Sequence, residues 1–271
     1  MKLARYAWFA LGLPWLSVYA QQGTLKVGGI LLPQNTWLLN QSDSDAGPEL
    51  DYKTTFGFAG GLTTTYNFTD NIGIGLDVLF SREGQRYEGR EDEATLKAQT
   101  LLNYLKVPLL FRFNSDPNSS VQLSFFIGPQ ANFLLAYRDK LEVTGGGGSF
   151  IREAKGTTVS STLSFAGYSE TEEEKLSAGA YRSFVFGGVF GLGAGFKLTD
   201  EVLLSINFRA DYTFGDVENK EAKIIHDNDE HEYWENEAPK YVGSNPPKKR
   251  PATAALTGGL MVGVTYSLPL R

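Results

Sequence analysis

From Thr24 onward the chain alternates large apolar residues with small or polar ones, every second position, in eight separate stretches. Successive strand side chains point to opposite faces, so this period sorts each stretch into two faces and excludes a helical fold. The stretches are Thr24–Leu32, Thr55–Phe68, Ile72–Arg82, Tyr104–Phe113, Val121–Tyr137, Phe184–Lys197, Val202–Phe214 and Leu256–Leu270. In Val202–Phe214 one face is Val202, Leu204, Ile206, Phe208, Ala210, Tyr212 and Phe214; the other is Leu203, Ser205, Asn207, Arg209, Asp211 and Thr213. In Phe184–Lys197, Phe184, Phe186, Phe190, Leu192 and Phe196 oppose Gly187, Gly191, Gly193, Gly195 and Lys197. The 30 glycines and 18 phenylalanines of this 271-residue chain are thus largely sorted onto opposite faces.

Each stretch can cross a bilayer at a tilt, for which about 9–11 residues suffice. The connections alternate too. Thr69–Asn71, Asn114–Ser120 and Thr199–Glu201 are short, whereas Pro33–Lys53, Glu83–Leu101, Arg138–Arg182 and Gly215–Ala255 are long and polar. Short turns at one end and long loops at the other are the layout of outer-membrane barrels. The expectation is therefore an all-β fold: an eight-stranded antiparallel transmembrane β-barrel with short periplasmic turns and four long outer loops. A faint echo, Gly61-Leu62 with Thr69-Asp70 and again Gly191-Leu192 with Thr199-Asp200, fits a barrel built of hairpins.

Composition decides which face is inside. The non-apolar face is mostly Gly, Ser, Thr, Asn and Gln, while a soluble surface would be rich in Lys and Glu. Small residues suit the narrow interior of eight strands, and lipid accepts the bulky ones. Tyr66, Phe68, Phe111, Phe113 and Phe196 near the short turns, and Phe56, Tyr137, Tyr212 and Phe214 near the long loops, would form two interfacial girdles. A soluble lipocalin-like ligand-binding barrel is the alternative, with a rim-located membrane enzyme as a third reading. The mean hydropathy of −0.22 reads as soluble because polar loops and a polar interior offset a thin apolar belt.

The N-terminus reads as a secretory signal peptide over residues 1–20, with Lys2 and Arg5 before an apolar run broken by Pro14 and a small Ala20 before Gln21. The mature domain is then 21–271, exported to the outer membrane of a Gram-negative bacterium. With 31 acidic against 25 basic residues, the chain is a poor nucleic-acid binder. It has no cysteine, which excludes disulfides, thiol catalysis and thiolate metal sites.

Seven charges fall on the inward face: Lys26, Asp77, Lys106, Arg112, Lys197, Arg209 and Asp211. Asp77, Lys106, Arg209 and Asp211 are expected in the middle and outer half, with Lys26, Arg112 and Lys197 near the periplasmic mouth. Opposite signs should pair across the lumen, because an unpaired buried charge is costly. The lumen is read as filled, and a proton or ion path along these groups is the sharper alternative.

The loops hold little chemistry. His226, Asp229 and His231 are weak metal candidates within an acidic run, and the simpler reading is a solvated loop, so no metal or cofactor is expected. Gly145–Gly148 reads as a flexible tip rather than a phosphate cradle. Trp37 and Trp234 fall in expected outer loops, where they could anchor a protein or glycan partner or dip into the lipid interface. No serine is convincingly placed to work with the two histidines, so the chain is read as non-enzymatic.

The segment Leu102-Asn103-Tyr104-Leu105-Lys106-Val107-Pro108-Leu109-Leu110, the Gly128-Pro129-Gln130 of the next strand, the glycine-rich Phe186–Phe196 and Asn207-Phe208-Arg209-Ala210-Asp211-Tyr212 resemble the PorT-type outer-membrane β-barrel family of Bacteroidota. That resemblance implies a small closed barrel in the outer membrane, supplies no catalytic residues, and links the chain to protein secretion. The combined reading is a monomeric, non-enzymatic barrel in contact with outer-membrane lipid, acting through long acidic outer loops as a binding or structural component.

Overall fold

The computed structural model describes residues 23–45, 50–91, 93–116, 119–225, 231–233 and 251–269. The expected signal peptide lies outside them. The described residues form, in order, β1 (Thr24–Leu39), α1 (Gln41–Asp45), β2 (Asp51–Lys53), β3 (Thr55–Asn67), β4 (Ile72–Glu91), β5 (Ala94–Asn114), β6 (Val121–Gly145), β7 (Gly148–Lys155), β8 (Thr158–Phe165), β9 (Tyr168–Leu176), β10 (Phe184–Lys197), β11 (Val202–Thr213), β12 (Lys223–Ile225), β13 (His231–Tyr233) and β14 (Ala254–Pro269).

Eight of these strands close a ring through antiparallel pairing in the order β1, β3, β4, β5, β6, β10, β11, β14 and back to β1. They are the eight stretches that the alternation marks out. Closure removes the exposed edges that an open sheet would carry. The sheet is larger than expected, however, with 14 strands in all. The long connections are not simply loops, because the ring strands run on into them. β6 alone has 25 residues; at ~3.3 Å per residue it is about 80 Å long, more than a ~25 Å apolar band needs even at a 45° tilt. Beyond it, β7, β8 and β9 continue the sheet as a meander, with β12 and β13 added at its far edge.

Local chemistry explains both kinds of turn. The repeated Thr-Asp marks the same turn built twice. The Thr69 hydroxyl accepts from the Ile72 N–H at 3.0 Å, and the Thr199 hydroxyl accepts from the Val202 N–H at 3.0 Å. At the other end, Gly146 and Gly147 have φ of 58° and 78° and close the β6–β7 hairpin. Two consecutive positive φ angles are what a tight two-residue hairpin turn requires. The glycine run is therefore a tight turn, not the flexible tip expected from composition.

The large apolar residues face outward along the ring. Leu31, Phe56, Leu62, Leu123 and Phe208 are exposed, as are Phe133 and Phe184. A lipocalin-like barrel would turn these residues inward, so that alternative is set aside. One expected outward residue is corrected. Tyr137 is buried, because Asn103 pairs with Ala136 while the next residue, Tyr104, pairs with Leu134. The extra residue, Leu135, is a β-bulge that flips every later β6 side chain to the other face.

Among the described residues, two buried apolar clusters fill the interior. Ile30, Leu32, Ala59, Leu79, Leu110, Phe126, Val189 and Met261 pack inside the ring. A second cluster, including Leu102, Tyr104, Tyr137, Val159, Ala180, Tyr181 and Val217, closes the end of the barrel away from the short turns.

Candidate functional site

Inside the ring, six charges interlock. Arg209 is fully buried and places Nε 2.9 Å from Asp211 Oδ1 and Nη1 3.2 Å from Asp77 Oδ2. Its Nη2 donates to Gln130 Oε1 at 2.9 Å. Lys106 Nζ lies 2.7 Å from Glu83 Oε2 and 3.2 Å from Asp211 Oδ2. Arg112 Nη2 lies 3.3 Å from Asp77 Oδ1, which also accepts from the Thr63 hydroxyl at 2.6 Å. Three cations thus face three carboxylates, and the network is formally neutral. In a low-dielectric interior that balance and the additional hydrogen bonds offset the desolvation of each ion.

The strands explain the placement. On β11, Arg209 is paired with Gly191 on one side and Gly259 on the other, so no neighbouring side chain blocks its reach across the lumen. Arg112 lies beside Gly75, whose added Cβ would come 2.7 Å from its Nε, and its guanidinium sits 5.0 Å above the Phe126 ring. A Cβ on Gly191 would overlap that same ring. The inward glycines are therefore the space that the arginines and Phe126 occupy.

The structure brings together Asp77, Lys106, Arg112, Arg209 and Asp211 from the seven expected charges. Lys26 is half-buried within electrostatic reach of Arg112 and Lys197, and Lys197 is exposed at the short-turn rim. No carboxylate lies within 4 Å of either among the described residues. Glu83 was missed because it was assigned to a loop; the run Asp77, Leu79, Ser81, Glu83 shows that the alternation continues through it. Phe126 and Leu110 were missed because apolar residues were sought only on the outward face.

Above the network, the barrel end is covered. Asn40 Nδ2 donates to Thr253 Oγ1 at 2.7 Å, and Thr253 Oγ1 donates to Glu218 Oε1 at 2.6 Å. Tyr181 bridges to Glu218 through the backbone, and Val217 beneath it is fully buried. Closed ring, outward apolar belt and filled interior together describe a membrane barrel. A family model described as "Outer membrane protein beta-barrel domain" matches residues 31–217. The chain belongs to this outer-membrane β-barrel family.

Among solved structures, this outer-membrane barrel is similar to the neisserial surface protein NspA, at 11% identity and a TM-score of 0.37, over 90% of this chain and 97% of that one. It is also similar to OprG from Pseudomonas aeruginosa, at 13% identity and a TM-score of 0.38, over 91% and 96%. A third is the outer-membrane protease OmpT from Escherichia coli, at 10% identity and a TM-score of 0.41, over 92% and 97%. No curated protein matches the chain.

Outer-membrane barrels as a class keep their short turns on the periplasmic side; the β7–β9 meander extends this barrel at the end opposite its short turns, as an outer extension. Trp37, expected in a loop, lies instead in β1, because the alternation of that strand continues to Leu39; it is half-buried. His226, Asp229 and Trp234 lie outside the described residues. His231 begins β13. Among the described residues no group of three or more His, Asp or Glu side chains is placed to hold a metal.

The outer extension holds a cavity of about 910 Å³ that sequence reasoning did not anticipate. It lies where β6 changes partners. β6 pairs with β10 up to Phe133, and with β7 only from Asp139. The wall opens between them, and the cavity is lined there by Leu134, Leu135 and Ala136, with Ile151 and Lys155 of β7 and Thr158, Ser160 and Thr162 of β8. Tyr137 and Tyr181, with ring centroids 4.9 Å apart, form its inner wall. The Tyr137 hydroxyl donates to Gly156 O and accepts from the Ala180 N–H at 2.9 Å. Burial raises the phenol pKa of Tyr137, and burial beside Asp139 and Glu218 pushes that of Tyr181 well above its ordinary value. Both phenols stay neutral and act as hydrogen-bonding walls.

Proposed function

We propose that this outer-membrane barrel is a non-conducting, non-enzymatic scaffold that acts through its outer β extension as a binding or structural component. The observation that carries this reading is the neutral network around Arg209, interlocked across the ring between Phe126 and the packed outer end. A permeating ion would have to displace paired charges, each of which costs several kcal/mol to leave unpaired. Purified barrel in planar bilayers should give no discrete openings, while the Arg209→Ala variant should raise leak currents. Large, stable openings of the unaltered protein would overturn the reading.

The finer assignment is a link to protein secretion, supported by the PorT-type motifs at Leu102–Leu110 and Gly128–Gln130. Deleting the gene and comparing secreted and surface proteins tests it. Loss of exported cargo supports secretion, and an unchanged profile leaves the scaffold to bind a protein or glycan at the cell surface.

A further inference from the structure

The cavity beside the β6 bulge stands just above the apolar belt. Phe133 and Phe184, the last pair before β6 leaves β10, have ring centroids 5.3 Å apart and are both exposed on the outward face. Leu135 is 57% exposed immediately beyond them and also lines the cavity. The belt therefore runs into the cavity wall through Leu134, Leu135 and Ala136, while Ile151 stands farther out on β7, beyond Lys155 and Glu153.

The other wall is chemically different. Thr158, Ser160 and Thr162 present every second side chain of β8 to the same space, since they share one strand face. Two charged side chains reach it from β7. Glu153 is already paired, with Oε2 2.8 Å from Arg138 Nη2. Lys155 has no carboxylate within 4 Å among the described residues, and it is paired across the strands with Thr158 at the barrel end of β7. The inner side is shut off from the lumen by Tyr137 and Tyr181. A cavity of about 910 Å³ is in the size range of small-molecule sites, about 300–1,000 Å³.

We infer that this cavity takes a single-chain anionic amphiphile drawn from the membrane, with its chain along Leu134, Leu135 and Ala136 and its head among the β8 hydroxyls and Lys155. An apolar entrance continuous with the bilayer admits a chain without exposing it to water, and hydroxyls with one unpaired cation suit an anionic head. This assignment rests on the proposed role of the outer extension and names its ligand class.

The test is equilibrium binding of dodecanoate to the full-length barrel in phosphatidylcholine nanodiscs, with dodecanol as the uncharged counterpart. Saturable binding of one dodecanoate per barrel is expected. Ser160→Trp, which puts an indole ring into the space assigned to the head, should abolish it. Lys155→Gln, an exposed change that leaves folding intact, should weaken dodecanoate about two- to fivefold while leaving dodecanol unchanged. Heat-modifiable migration confirms that each variant is folded. Absence of saturable binding, or binding indifferent to both variants, overturns the assignment. A barrel that is silent in planar bilayers yet takes no dodecanoate refutes the amphiphile alone, whereas a conducting barrel refutes the sealed-scaffold reading.

Discussion

Replacing Arg209 by methionine should be the most damaging single change in the transmembrane region. The guanidinium is fully buried and loses three partners at once: Asp211 at 2.9 Å, Asp77 at 3.2 Å and Gln130 at 2.9 Å. The network then holds three carboxylates against two cations. Removing one member of a buried ion pair typically costs about 3–5 kcal/mol, chiefly because the remaining charge is left uncompensated. Asp77 keeps Arg112 and Thr63, and Asp211 keeps Lys106, so the lower part of that range is expected. The assay is urea unfolding in detergent micelles, followed by the heat-modifiable gel shift. The double variant Arg209→Met with Asp211→Asn restores neutrality and leaves two simple pairs, Asp77 with Arg112 and Glu83 with Lys106. It should be less destabilised than the sum of its parts by about 1–3 kcal/mol. A loss under about 1 kcal/mol for the single variant, or strict additivity in the double, would refute the claim that charge balance holds the lumen together.

Other consequences are equally direct. Gly191→Ala pushes a methyl group into the Phe126 ring and should cost about 1–3 kcal/mol in the same unfolding assay, with partial relief when Phe126→Leu is added. Tyr137→Phe strips the Ala180 N–H of its buried acceptor and should loosen the outer extension by about 1–3 kcal/mol, read as faster proteolysis there with an unchanged gel shift of the barrel. The Tyr181 phenol is raised above its ordinary pKa of 10.0, so the folded state holds this proton more tightly than the unfolded chain. Its contribution is complete below pH 10.0 and falls as pH rises beyond it; Tyr181→Phe should flatten the alkaline limb of the stability profile, and an unaltered limb would exclude that role.

How much of this was legible in the sequence varies from element to element. Period two needs no tertiary information, because adjacent strand residues must point to opposite faces. It therefore located all eight ring strands, the outward Phe and Leu residues and the inward Asp77, Lys106, Arg112, Arg209 and Asp211. It failed where the pattern lost its contrast. Glu83 and the outer halves of β4, β5 and β6 are rich in charged and polar residues, so they read as loop although the ladder continues through them and Leu96, Ala98, Leu141 and Val143 still fall on alternate positions. Phe126 escaped notice because its role depends on Gly191, its partner on the adjacent strand β10 but 65 positions away in the chain.

The sequence by itself determined the closed all-β architecture, its orientation of apolar residues toward lipid and five of the six charges of the interior network, all but Glu83. Only the tertiary structure decided which charge meets which, because pairing depends on register across strands far apart in the chain. It also decided the face of Tyr137. One extra residue at Leu135 reverses the alternation, ends the contact with β10 and opens the cavity, and a bulge of this kind is set by the pairing of two strands rather than by either strand alone.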